Sequence, residues 1–212
     1  MNVLVVGGHG QVARRLLKLL AAEGHTASGL IRNPAHATDL TAVGAVPVLG
    51  DIEAETSLSA YVEGSDAVVF SAGAGPGAQP ERRRTVDLGG AVKLADAALA
   101  EGVRRFVMVS SIGVQDPAAA PAGLRDYLEV KAEADAYLSA TALDRTIVRP
   151  GRLTDEPGTG LITATRELGN QGPVPRDDVA AVLAACLTTP ATIGVTFELF
   201  AGVTPIAEAL AF

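Results

Sequence analysis

The opening stretch MNVLVVGGHGQVA admits few folds. Asn2 to Val6 is a short valine-rich run that ends in glycine, which is the pattern of a buried strand. Gly7, Gly8 and Gly10 follow. From Gln11 to Ala22, Val12, Leu16, Leu19 and Leu20 then recur at helical spacing. Strand, glycine turn and helix in this order make a phosphate-binding unit. Gly7 permits the tight turn, Gly10 lets backbone approach a pyrophosphate, and Ala13 is small enough for the helix to pack closely on the strand. The free N–H groups and positive end of the helix dipole attract the diphosphate. The spacing is G-x-x-G-x-x-A rather than G-x-G-x-x-G, so an ordinary strand–helix turn is the competing reading. His9, inside the turn, either touches phosphate or faces solvent.

The rest of the chain repeats the alternation. Thr26 to Ile31 reads as a second strand ending at Arg32, about twenty residues past the glycine turn. An acid there would bind the ribose 2′-hydroxyl of NAD, whereas a guanidinium pairs with a 2′-phosphate through two parallel hydrogen bonds. Arg32 therefore favours NADP over NAD, against the alternative of a plain surface arginine. A short helix over 34–42 and a strand over 45–49 lead to Asp51 and Ile52. These two suit an adenine amino group and ring, or else form a turn. A strand over 66–70 runs into Ser71-Ala72-Gly73-Ala74-Gly75, small residues that leave room for ligand beside backbone. A long helix over 81–100 takes Val86, Ala91, Leu94, Ala98 and Leu99 as core contacts, and its start, Arg82 to Arg84, reads as solvated. A strand over 105–109 ends at Ser110-Ser111, a helix covers 124–140, and a strand over 145–148 precedes Arg149-Pro150-Gly151. Residues 154–160 read as a mobile flap and 161–165 as strand-like. A helix over 176–187, a strand over 196–200 and a short helix over 205–210 close the chain. The expected fold is α/β, a doubly wound parallel sheet in three layers. It forms a single domain over 1–212, with substrate-side loops near 111–126 and 151–175.

Tyr127 and Lys131 lie four apart in a helical stretch and face the same way. A tyrosine hydroxyl titrates near pH 10, and a neighbouring ammonium stabilises its phenolate. So placed, Tyr127 can pass a proton to or from a carbonyl oxygen, with Ser111 bonding the same oxygen and Lys131 holding ribose hydroxyls. A surface i,i+4 pair is the alternative. Tyr137 has no such partner and reads as a packing residue.

A net charge of −7 argues against a nucleic-acid surface. Cys186, the single cysteine, excludes an internal disulfide and reads as a small core residue. His9, His25 and His36 lack ligand spacing, so no metal site is expected, and His25 and His36 read as surface residues. No apolar stretch reaches membrane-span length. The expectation is a cytoplasmic protein with a small-molecule substrate, no nucleic acid and no membrane. Monomer and homodimer are both open.

The segments GGHGQVA, LIRNP, GDIE, FSAGAG, VMVSSIGV, YLEVK, TIVRPGRLTDEPGTG and RDDVAAVL together resemble the short-chain dehydrogenase/reductase superfamily, in its atypical NAD(P)-binding, NmrA-like branch. The resemblance spans nearly the whole chain. It implies cofactor contacts at Gly7, Gly10, Gln11, Val12, Arg32, Asp51, Ile52, Ala72, Gly73 and Lys131, and from the Pro150-Gly151 turn near the nicotinamide. The leading expectation is an NADPH-preferring oxidoreductase that passes hydride to a small carbonyl, quinone or flavin-like acceptor through Ser111, Tyr127 and Lys131. A cofactor-binding redox sensor without catalysis is the second reading, and a sugar epimerase or dehydratase the third.

Overall fold

A computed structural model describes the chain except for residues 76, 168, 170 and 171, the last three of which lie within the expected 151–175 loop. The apolar runs of the sequence become the central strands of one sheet. They are β1 (Asn2–Val6), β2 (Thr26–Ile31), β3 (Val46–Leu49), β4 (Ala67–Phe70), β5 (Arg105–Val109), β6 (Asp144–Pro150) and β10 (Thr196–Ala201). Between them come two short strands, β7 (Arg152–Thr154) and β9 (Pro173–Pro175), which pair with each other outside the main sheet. β8 (Leu161–Thr165) and β11 (Thr204–Pro205) complete the set. The sheet order is β3-β2-β1-β4-β5-β6-β10-β8-β11. The strands from β3 to β10 run parallel, while β8 pairs antiparallel with both β10 and β11. The fully parallel sheet read from the sequence thus gains an antiparallel edge.

Strands buried on both faces explain why the pattern was apolar rather than alternating. In β1, Val3 and Val5 face a core with α1 (Gln11–Ala22) and α7 (Arg176–Thr188), while Leu4 and Val6 face the opposite core. That second core contains α5 (Gly90–Ala100) and α6 (Ala122–Ser139), together with the short α3 (Ser59–Val62). Ala67 and Val69 against Val68 and Phe70 repeat the division in β4. In α1 the buried residues are Val12, Ala13, Leu16, Leu17 and Leu20, and Leu19 is partly buried against the same core. Short helices α2 (Ala37–Ala42) and α8 (Ile206–Ala209) close the flanks.

The helix expected over 81–100 is interrupted. After α4 (Pro80–Arg83), residues Arg84–Gly89 form a π-helical segment that leads into α5. Ala95, Ala97 and Ala98 fill the core and Leu99 turns outward, contrary to expectation. Cys186 is buried as expected, and burial pushes its thiol up to about 12, which leaves it no nucleophilic role at neutral pH. Residues 154–160 are not a free flap: the N–H groups of Thr159 and Gly160 donate to Asp178, and that of Gly158 to Asp177. No described helix is long and apolar enough to cross a membrane.

Candidate functional site

Strand order reverses between β1 and β4, where chain connections leave to opposite sides and open a crevice at the C-terminal sheet edge. The turn after β1 meets the loop after β4 there. Gly7 has φ +84°, and a Cβ on it would sit 2.7 Å from Ala72 Cα, so both its backbone shape and its close approach require glycine. A Cβ on Gly10 would lie 3.1 Å from the Gly7 carbonyl oxygen. Gly10 caps α1 without a side-chain hydrogen bond, and no acid occupies the first turn. The free N–H groups and positive helix end suit a diphosphate, and the bare glycine cradle leaves it room.

Two cavities flank this turn and share Gly10 and Ser71 to Ala74. The first, about 330 Å³, contains Gly7, His9, Arg32, Asp51, Ile52, Ala72 and Gly73 from the predicted set. The second, about 730 Å³, contains Gln11, Val12, Ser111, Tyr127, Lys131, Pro150 and Gly151. Every residue proposed from the sequence therefore lines one or other of two adjoining cavities.

In the first cavity Arg32 donates to Glu53 at 3.4 Å, and Arg82 reaches the same carboxylate oxygen from α4 at 3.1 Å. Thr85 donates to the other Glu53 oxygen. Asp51 accepts the Glu53 N–H in a local turn, while still lining the cavity. His9 stacks on His36 with ring centroids 3.5 Å apart and pairs with Asp39 at 2.7 Å. His36 thus belongs to the cavity wall and not to the outer surface.

In the second cavity Lys131 is buried and pairs with Asp87 at 3.2 Å. Its ammonium also donates to the Val109 carbonyl and lies 6.0 Å from the Tyr127 ring centroid. Desolvation opposes this charge, but Tyr127 and the carboxylates of Asp87 and Asp135 outweigh it and hold the ammonium above its usual value. Asp87 also accepts the backbone N–H of Ala74 at 2.9 Å, which ties the lysine to the loop after β4. Behind Lys131, Asp135 accepts from Arg149 at 2.9 Å, and the Ser110 hydroxyl lies beside it without an aligned hydrogen bond. Burial pushes the Asp135 carboxyl up despite these neighbours. Ser111 donates to the Ile112 carbonyl.

The arginine run at 82–84 does start a helix and Arg84 stays exposed, but each side chain has an acidic partner. The three fan to Glu53, Asp126 and Glu133, because successive helical residues point about 100° apart. Tyr137 is not a core residue: it is 38% exposed, and its hydroxyl donates to Asp96. Asp87 was missed although it carried a signal, an acid on the buried stripe that continues through Ala91 and Leu94. No cluster able to hold a metal ion exists among the described residues.

This cleft, at the switch point of a three-layer sheet, defines a Rossmann-type nucleotide-binding domain. The chain belongs to the NAD(P)H-binding family, whose profile matches residues 7–190. It is 37% identical to YhfK of Bacillus subtilis (strain 168), an uncharacterized sugar epimerase by name, over 99% of each chain. A solved Bacillus halodurans structure, named for the NAD-dependent epimerase/dehydratases, superposes with a TM-score of 0.94 at 40% identity, covering 99% of this chain and 98% of that one. The oxidoreductase YlbE from Lactococcus lactis gives 0.86 at 31% identity, covering 99% and 95%. A nicotinamide dinucleotide is therefore the small-molecule ligand the domain implies.

Proposed function

We propose that the protein is an NADPH-preferring reductase of the atypical short-chain type, acting in the cytoplasm on a small carbonyl, quinone or flavin-like acceptor. The observation that carries this reading is the adjacency of the two cavities. Arg32 lies in the first, Ser111, Tyr127 and Lys131 in the second, and the uncapped α1 turn stands between them. Backbone N–H groups after Gly7 and Gly10 hold the diphosphate, with Gln11 and Val12 opening the helix beneath it. Arg32 reads the 2′-phosphate, and Arg82 stands beside it on the shared Glu53 carboxylate. Asp51 and Ile52 flank the adenine, Ala72 and Gly73 leave space for the ribose, and Lys131 holds the second ribose. Pro150 and Gly151 border the nicotinamide, which when bound supplies hydride. Ser111 orients the acceptor oxygen and Tyr127 delivers the proton.

The test is a calorimetric titration with NADPH and NADH. NADPH is expected to bind more tightly, and Arg32→Asp to weaken it by about 10–100-fold while changing NADH little, because charge-assisted hydrogen bonds are lost. Equal binding of the two cofactors in both proteins would remove the 2′-phosphate assignment.

A further inference from the structure

We propose that the second cavity selects an anionic acceptor, a carbonyl compound with a carboxylate on an apolar body, and that Arg83 is the residue that reads the carboxylate. The inference rests on the reductase reading above and names the substrate class of that site.

The chain as a whole is acidic, at −7, yet among the described residues the charged side chains lining this cavity are Arg83, Lys131 and Arg176 against the single acid Asp87. Asp87 is 1% exposed and committed to Lys131, so the other charged groups that face the cavity are the two arginines. They come from the two helical layers, Arg83 from α4 and Arg176 from the start of α7. Their acidic partners, Asp126 and Asp155, stand outside the lining and are more exposed than the arginines. Asp155 is shared with Arg15. A cleft walled with one sign of charge concentrates the opposite sign within it.

Arg83 is the better placed of the two to read a substrate. Its side chain is 16% exposed, and one guanidinium nitrogen donates to Asp126 at 3.1 Å. The other N–H donors are available in a fork that matches a carboxylate. Asp126 immediately precedes Tyr127 in α6, so this contact places the guanidinium beside the first turns of the helix that carries the phenol. Of the diphosphate turn, Gly7 and His9 line only the first cavity and Gly10 borders both, whereas Arg83 lines only the second. Leu124, Leu153 and Val109 supply the apolar wall for the body of the acceptor.

The experiment uses the full chain loaded with NADP⁺, loading being verified by calorimetry. It compares 4-carboxybenzaldehyde with methyl 4-formylbenzoate, which share the aldehyde and differ by one charge. With oxidised cofactor neither is reduced, so calorimetry reads binding alone. The acid is expected to bind at least about tenfold more tightly than the ester. That advantage should fall to within about twofold in Arg83→Gln and persist in Arg83→Lys, with unchanged melting temperatures showing that both variants fold. The proposal is overturned if the ester binds as well as the acid, if the advantage survives Arg83→Gln, or if neither aldehyde binds to loaded protein. A chain that fails to load with NADP⁺ instead overturns the nicotinamide reading beneath it.

Discussion

Replacing Tyr127 by phenylalanine is expected to lower NADPH-dependent reduction by about 10²–10⁴-fold, the usual worth of a positioned general acid. NADPH affinity should stay within about twofold. The two effects separate because the phenol hydroxyl is the only group removed, and among the described residues no hydrogen bond fixes it to the protein. It is therefore available to an acceptor oxygen. Steady-state NADPH consumption with the best acceptor, alongside calorimetric binding, reads both quantities. Unchanged turnover in Tyr127→Phe would exclude the proton-donor role and point to hydride transfer that needs no acid, as to a flavin-like acceptor.

Replacing Asp87 by alanine is expected to cost about 3–5 kcal/mol of folding stability, because it strands a buried ammonium. Lys131 and Asp87 are both almost fully buried, and their mutual contact, helped by the Val109 carbonyl and the Ala74 N–H, offsets the desolvation of two charges. Urea unfolding measures the loss. The double change Asp87→Leu with Lys131→Met should recover most of it, since an apolar pair in the same space carries no desolvation penalty. If Asp87→Ala unfolds like the wild type, the pair is not the buried ion pair described. The pH dependence follows from the raised lysine: its folded pKa lies above the ordinary 10.5, so its contribution is complete below that value. It is lost only as pH rises through the folded pKa. Stability near neutrality is therefore insensitive to this group.

The sheet and its covering helices were legible in the sequence because burial leaves periodic marks. Strands such as Val3 to Val6 and Ala67 to Phe70 show as apolar runs, and α1 and α6 as spaced apolar residues. The cleft was legible for the same local reason: its glycines, Arg32 and the Tyr127–Lys131 pair stand at strand ends or at fixed helical spacing. What escaped depends on distant partners. The β7–β9 pair and β11 are two or three residues long, too short for any period, and they are formed by backbone partners far along the chain. The direction of β8 follows from its neighbour β10 and not from its own composition. Glu53 gathers Arg32, Arg82 and Thr85 from 21, 29 and 32 positions away, so no local pattern marked it. Asp87 and Asp135 were marked, as acids on buried helical stripes, but their partners were visible only in three dimensions.

The π-helical turn at Arg84–Gly89 carries one residue more than a regular α-helical turn of the same span would hold. In an unbroken α-helix one extra residue would turn everything after it by about 100° relative to everything before it. The wide turn absorbs that residue, so α5 keeps its seat on the sheet while Arg82 and Arg83 still border the two cavities. Loss of one residue here leaves an ordinary α-helical turn of the same span and keeps both faces in phase, so this stretch is a place where the chain can change its length by one without disconnecting the halves of the cleft.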